Sequence, residues 1–275
     1  MKIGLRNRPH GSILAVGGAE EKVSGRSILE RFVHESGGEE ARIAILPTAS
    51  AIPLERATFY RRVFGDIGAG ESFHLPIATR EDAHSPASRE AIAGATGVFL
   101  TGGDQSRLVQ VLAGSPALEA IHQKLTEGGV LAGTSAGASA FSATMIVGGE
   151  TGLHLRRDAV DLAPGLGVIQ KLIIDQHFSQ RRRLGRLLTA VALEPHRLGV
   201  GIDEDTAIVY YGSGELEVIG SGQVFILDAS RAAAGRLDVT PPGRPFSLSG
   251  VVLHVLTEGD RFHVGKRKPM LTADA

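Results

Sequence analysis

The chain has 275 residues, 43% hydrophobic and 21% charged, which is ordinary globular usage and excludes a fibrous repeat or a disordered chain. Its 29 basic and 30 acidic side chains leave a formal charge of -1, so nothing electrostatic points to nucleic acid or an anionic membrane as partner. Cysteine is absent, which excludes disulfides, thiolate metal sites and a cysteine nucleophile.

At the N-terminus, MKIGLRNRPHGSILAVGG contains only the short apolar run Ile13 to Val16, too short for a secretory core, so no targeting segment is expected. No stretch reaches the roughly 18 uninterrupted apolar residues of a membrane span. A cytoplasmic protein with one α/β domain over residues 1–275 is the expectation.

Short apolar runs (SILAVGG, RIAILPTAS, SFHLPI, GVFLTGGD and GVLAGTSAGASA) alternate with helical stretches at 25–36, 54–64, 85–93 and 108–125, the last broken near Gly114-Ser115-Pro116. This βαβ rhythm predicts a mostly parallel sheet covered by helices. From Leu172 the pattern changes. LIIDQHF predicts a strand and QRRRLGRLLTAVALE a helix; LGVGIDEDTAIVYYG and ELEVIGSGQVFILDA predict strands paired around Gly212-Ser213-Gly214. VVLHVLTEGDRFHVG reads as a hairpin turning at Glu258-Gly259-Asp260, after a loop at Pro241-Pro242-Gly243.

In an open parallel sheet the ligand sits beyond the carboxyl ends of the strands, which directs attention to residues 17–20, 47–50, 101–105, 133–137 and 175–177. Gly133-Thr134-Ser135-Ala136-Gly137 fits G-x-S-x-G, after the run Val130-Leu131-Ala132 and before a small-residue helix. Such a turn lifts a serine hydroxyl above the sheet, and its glycines let neighbouring backbone approach. Ser139 and Ser142 read as ordinary helix residues.

A serine needs a base and the base needs an orienting acid. His177, which ends the strand Ile173 to Gln176, is the best placed of the ten histidines. His10, His34, His84, His122, His196, His254 and His263 are expected on surfaces or in packing, and His74 and His154 carry no supporting signal. Asp203, Glu204 and Asp205 offer three carboxylates, of which only one can face His177. Gly102, Gly103 and Ala136 are natural backbone donors to an oxyanion. Arg181, Arg182, Arg183 and Arg186 follow the base; on a helix, 182 and 186 would share a face while 183 turns away. Guanidinium groups bind carboxylates in bidentate fashion, so the inner members suit an acidic substrate.

With these motifs the chain resembles the serine peptidase family that contains cyanophycinase and the aspartyl dipeptidase peptidase E. The matching stretches are GGAEEK near Gly17, ILPTAS near Leu46, FLTGGDQ near Gly102, GTSAGASAFSATMIVGG from Gly133, LAPGLGVI near Leu166, DQHFSQRRRLGRL from Asp175 and GIDEDTA near Asp203. Glu21 stands where the family pattern has aspartate, and Gln180-Arg181-Arg182 is slightly more basic than that pattern. The resemblance implies a flavodoxin-like three-layer α/β sandwich akin to class I glutamine amidotransferases, with C-terminal β-hairpins, working as a homodimer without cofactor or metal. It implies Ser135, His177 and Glu204 as the triad. It implies Gln105, Asp175, Gln176, Arg181, Arg183 and Arg186 as substrate-binding residues for cyanophycin, a poly-aspartate bearing β-linked arginines, cleaved from its end to β-Asp-Arg dipeptides.

Two neighbouring readings are action on free aspartyl dipeptides and non-catalytic binding of acidic peptides. An α/β-hydrolase esterase is disfavoured, because its triad runs serine, acid, histidine along the chain, whereas the order here is Ser135, His177 and then the acidic turn.

Overall fold

The short apolar runs of the first half become strands that are buried almost throughout. In the computed structural model, which describes residues 11–21, 26–235, 237 and 240–272, β1 (Ser12–Val16) is buried along its whole length. It leads into α1 (Ser27–Glu35), then β2 (Arg42–Leu46), α2 (Pro53–Ile67), β3 (Glu71–His74), α3 (Arg80–His84), α4 (Pro86–Ala93), β4 (Gly97–Leu100), α5 (Gln105–Leu112), α6 (Pro116–Thr126), β5 (Val130–Thr134) and α7 (Ala136–Ser139). Residues 1–10, on which the reading of no targeting segment rests, together with Lys22 of the first-loop motif and Gly25 of the first predicted helix, lie outside the described residues.

Helix ends follow local chemistry. Pro53 opens α2 where its missing N–H costs nothing, and Gly68 closes it at φ 98°. The Asp104 carboxylate accepts from the N–H groups of Ser106 and Arg107 at the start of α5, and Ser115 caps α6 ahead of Pro116. The predicted break at 114–116 is therefore a stop and a new start. The separate helix α3, held by a capping box between Thr79 and Asp82, lies where only its successor α4 was predicted.

The second half contains β6 (Thr144–Gly149), β7 (Val160–Pro164), β8 (Leu172–Gln176), α8 (Leu184–Leu193), β9 (Leu198–Ile202), β10 (Thr206–Tyr211), β11 (Glu215–Gly220), β12 (Val224–Asp228), β13 (Ala233–Gly235), β14 (Ser247–Ser249), β15 (Val252–Leu256), β16 (Arg261–His263) and β17 (Lys268–Met270). Strands join in a nine-stranded sheet ordered β17-β16-β11-β10-β1-β5-β4-β2-β3 and a four-stranded sheet ordered β15-β12-β9-β8. In the large sheet β1, β5, β4, β2 and β3 run parallel, and β10, β11, β16 and β17 extend the β1 edge antiparallel. In the small one β8 and β9 run parallel and β12 and β15 antiparallel.

Alternation along each strand decides which layer it meets. Leu14 and Val16 of β1 join Ile43, Ile45 and Phe99 against α1 and α2. Ile13 and Ala15 point the other way, into a core shared with α4, α5, α6 and the inner face of the small sheet, including Ile174, Val200 and Ile226. Helix α8 covers the small sheet's outer face. The mixed α/β architecture expected from the sequence is thus present, a large sheet with one parallel half and one antiparallel half between two packed layers. No helix among the described residues is long and apolar enough to cross a membrane.

Two local expectations differ from the structure. Helix α8 begins at Leu184, so Arg181 and Arg182 lie in a turn and Arg183 is the residue before the helix. Arg182 is left-handed at φ 52°, which breaks the helical run the arginines suggested and removes the predicted shared face of 182 and 186. The strands flanking Glu258-Gly259-Asp260 do not pair with each other. β15 joins β12 in the small sheet, β16 joins β11 in the large one, and the hairpin of this region is β16 with β17. Asp260 stabilises the crossing, its carboxylate accepting from the N–H groups of Thr257 and Thr272.

On β9, Gly201 faces outward where the Phe178 ring lies across the strand; a Cβ there would come within 2.5 Å of that ring. Phe178 is itself packed on Phe225 and cannot retreat freely. Replacing Gly201 by alanine is expected to lower unfolding stability by about 1–3 kcal/mol, as overpacking of a filled interior does, measured by urea titration.

Candidate active site

The residues after β5 form the sharpest bend at the functional rim. Ser135 adopts φ 53° and ψ −113°, a left-handed conformation that a side-chain-bearing residue takes only when its surroundings enforce it. Its N–H donates to the Val16 carbonyl at 3.0 Å, tying the bend to the end of β1. The motif's glycines are there for close approach: a Cβ on Gly133 would reach the Phe141 ring at 2.6 Å, and one on Gly137 the Leu100 carbonyl oxygen at 2.5 Å.

His177 comes from the other sheet. It follows β8, and its φ of 47° turns the imidazole back across the rim. Nε2 lies 3.1 Å from Ser135 Oγ, and Nδ1 lies 2.5 Å from Glu204 Oε1. The three-way ambiguity of the acidic turn resolves through the neighbours' own bonds. Asp203 accepts from the N–H groups of Ser179 and Gln223, while Asp205 accepts from the Glu21 N–H and the Ser221 hydroxyl. That leaves Glu204 to face the imidazole. Gln180 assists, its side-chain oxygen accepting from the Glu204 N–H.

The imidazole is held below its ordinary value of 6.5, chiefly because burial disfavours the cation; the Glu204 hydrogen bond opposes this, and the Arg181 charge adds to it. A neutral imidazole at pH 7, with Nδ1–H donated to Glu204, leaves Nε2 free to accept the Ser135 proton.

Gly102 and Gly103, two of the residues expected as oxyanion donors, line the same cleft as Ser135, and the third, Ala136, follows it in the chain. Gly102 is so close that a Cβ on it would sit 3.4 Å from Ser135 Cβ, and Gly103, at φ 146°, packs on the Ala49 carbonyl. Ala136 is the first residue of α7, so its N–H has no carbonyl inside the helix to meet. A cleft of about 410 Å³ opens here, lined by Gly102, Gly103, Ser135 and His177 and by residues of the loops after β1 and β2 and of α2.

The arginines divide. Asp175, almost fully buried, accepts two bonds from Arg186, one at 2.7 Å through Nε and a shorter one through Nη2, and one from Arg183 at 3.3 Å. Arg183 also donates to the Gln176 carbonyl, and burial pushes it down to about 10. So 183 and 186 converge, the reverse of the helical expectation. Arg181 is exposed and forms no side-chain hydrogen bond or ion pair with the described residues. Gln176 accepts from Ser135 Oγ at 3.3 Å, while Gln105 is turned to β6, donating to the Ile146 carbonyl. Both oxygens of Asp175 are engaged with guanidinium groups, so its contact is with the arginines.

Sequence reasoning missed the opposite wall. Glu20, 2% exposed, accepts from the Tyr60 hydroxyl at 2.5 Å and from the Thr134 hydroxyl at 2.7 Å, beside Ser135. Its place in the first glycine loop was the available signal. Gly18 was likewise seen only as part of a loop; at φ 96° it lies where any Cβ would strike the His177 ring at 2.5 Å.

The sequence pattern of peptidase family S51 matches residues 13–218. Cyanophycinase of Trichormus variabilis is 44% identical over 257 residues, 93% of this chain and 86% of that protein. Cyanophycinase of Geminocystis herdmanii is 42% identical over 260 residues, 94% and 96% of the two chains. A crystal structure of a peptidase from an acI-B1 actinobacterium superposes with a TM-score of 0.67 at 25% identity, covering 93% of this chain and 98% of that one. A putative peptidase E protein from Listeria monocytogenes shares the fold, with a TM-score of 0.52 at 18% identity over 78% of this chain and all of the other.

An NMR titration is expected to find the His177 midpoint below 6.5. Glu204→Gln removes a raising influence and should lower it further, whereas Arg181→Gln removes a lowering one and should raise it. Asp175→Ala strips the shared carboxylate from two buried guanidinium groups and is expected to destabilise the fold by about 3–5 kcal/mol, read from chemical denaturation.

Proposed function

Since the chain belongs to peptidase family S51, a family of serine-type peptidases, we propose that it hydrolyses cyanophycin from the chain end to β-Asp-Arg dipeptides through Ser135, His177 and Glu204. The observation that carries this reading is the hydrogen-bonded line from Ser135 Oγ through the His177 ring to Glu204, set at a strand-end bend and open to a cleft.

The chemistry follows from that line. Ser135 Oγ attacks the amide carbonyl as His177 Nε2 takes its proton, and Glu204 stabilises the imidazolium that forms. The N–H groups of Gly103 and Ala136, with Gly102 alongside, receive the oxyanion. Collapse of the tetrahedral adduct breaks the C–N bond, and His177 returns the proton to the departing amine. Water then hydrolyses the ester by the same proton route in reverse.

Each unit of the polymer carries a guanidinium and a free carboxylate, and its repeat suits a rim rich in both signs. In this reading the exposed Arg181, with Gln176, supplies donors to the carboxylates, while Arg183 and Arg186, buried on Asp175, and Gln105, bonded to the Ile146 carbonyl, shape the substrate-binding side behind them. Asp175 serves by holding Arg183 and Arg186 in place. The reading extends to a homodimer acting in the cytoplasm.

Incubating the protein with cyanophycin should release soluble dipeptide of the mass of β-Asp-Arg. Ser135→Ala is expected to lower kcat by a factor on the order of 10⁴ or more with the fold intact. Retained turnover in that variant, or cleavage of free aspartyl dipeptides alone, would defeat the proposal.

A further inference from the structure

The cleft beside Ser135 is lined on one side by His177 and on the other by Glu20, Arg56 and Tyr60, and the arginine cluster of residues 181–186 takes no part in its wall. Arg181 and Arg183 act on the His177 imidazole while Arg56 lines the cleft, so the Ser135–His177 pair has two separate groups of cations near it. A peptide bound with its scissile carbonyl at Ser135 must extend in both directions, and the mechanism above uses only one of them.

Arg56 is the unused charge. It lies in the first turn of α2, one helical turn before Tyr60, exposed and lining the cleft. Its guanidinium makes no hydrogen bond or ion pair with the described residues. Tyr60 and Glu20 behind it are fixed, with the Tyr60 hydroxyl donated to Glu20 and Glu20 also accepting from Thr134. The Tyr60 hydroxyl is pushed well above its ordinary range by burial and by Glu20, with Arg56 acting against this, so the three form one electrostatic unit. An exposed guanidinium at the rim of the cleft, with no carboxylate of the described residues bonded to it, is open to take a ligand carboxylate in bidentate fashion.

We propose that Arg56 is the anchor of a second subsite, binding a carboxylate-bearing amino-acid unit on the far side of the scissile bond from the unit held by the 181–186 arginines. This rests on the peptidase reading of Ser135. In it Arg56 is a specificity-determining residue, recognising the carboxylate each repeating unit presents, and Glu20 is a positioning residue that holds Tyr60 and Thr134 around it.

Binding and turnover test the two readings separately. Calorimetry on the Ser135→Ala protein, in which turnover is expected to be negligible, would use a two-unit aspartyl-arginine peptide and the same peptide with its carboxylates converted to carboxamides. Adding Arg56→Ala is expected to weaken the carboxylate form about tenfold, the value of one charged hydrogen-bonding contact, and to leave the carboxamide form unchanged. Arg56→Lys should recover part of the loss. In the active protein Arg56→Ala should raise KM for cyanophycin with kcat little changed. Undiminished binding of the carboxylate form to the Arg56→Ala protein, equal losses for both forms, or no binding to the parent would overturn the subsite. If the active protein fails to degrade cyanophycin while peptide binding still depends on Arg56 and on the carboxylates, the subsite stands and the substrate assignment falls.

Discussion

The hydroxyl of Ser135 and the imidazole of His177 belong to different sheets, and two residues of backbone hold those sheets in register. The Gly17 N–H donates to the Thr206 carbonyl, the His177 N–H donates to the Gly17 carbonyl, and the Asp205 N–H donates to the Gly18 carbonyl. The loop after β1 is thereby threaded between β8 on one side and the β9–β10 connection on the other. Only glycine fits this thread. A Cβ on Gly17 would lie 2.0 Å from the Asp203 carbonyl oxygen, and one on Gly18 would occupy the imidazole's own space. Every distance in the Ser135–His177–Glu204 line depends on this seam.

Charge around the seam is asymmetric. On the side of α8, two guanidinium groups share the single buried carboxylate of Asp175, leaving that cluster net positive close to His177. Burial already disfavours the imidazolium, and Arg181 and Arg183 reinforce the effect. On the side of α2, Arg56 is exposed on the cleft, and behind it the Glu20 carboxyl next to the bend accepts from two hydroxyl groups. The two sides thus carry differently supported cations, buried and paired near α8 and exposed near α2, and a ligand meets a different environment at each end.

Much of this was legible before any coordinates. The apolar runs marked β1, β2, β4, β5 and β8 correctly, and the strand-end argument led to the loops that meet at the cleft. G-x-S-x-G identified the bend because its glycines answer to a backbone necessity. What stayed hidden was what depends on bonds between distant segments. Nothing in Asp203-Glu204-Asp205 tells which carboxylate is free until Ser179, Gln223, Glu21 and Ser221 claim the outer two. The arginine run reads as a helix because arginine favours one, and only the left-handed Arg182 reveals a turn that swings 183 towards 186. The division of the later strands between two sheets was equally illegible, since a turn at 258–260 serves a crossing as well as a hairpin.

That crossing has a consequence for the order in which the molecule can be built. Strand β11 ends at Gly220, but its outer neighbour β16 begins only at Arg261, about 40 residues later. During synthesis, at ~5–20 residues per second, the large sheet would therefore present an open edge for roughly 2–8 seconds after β11 emerges. Unpaired strand edges invite association with other nascent chains. Glu215 and Glu217 put charge along that waiting edge and so act as gatekeepers during biogenesis, whereas in the finished protein both are half-buried and Glu217 is paired with Arg31 and Arg261.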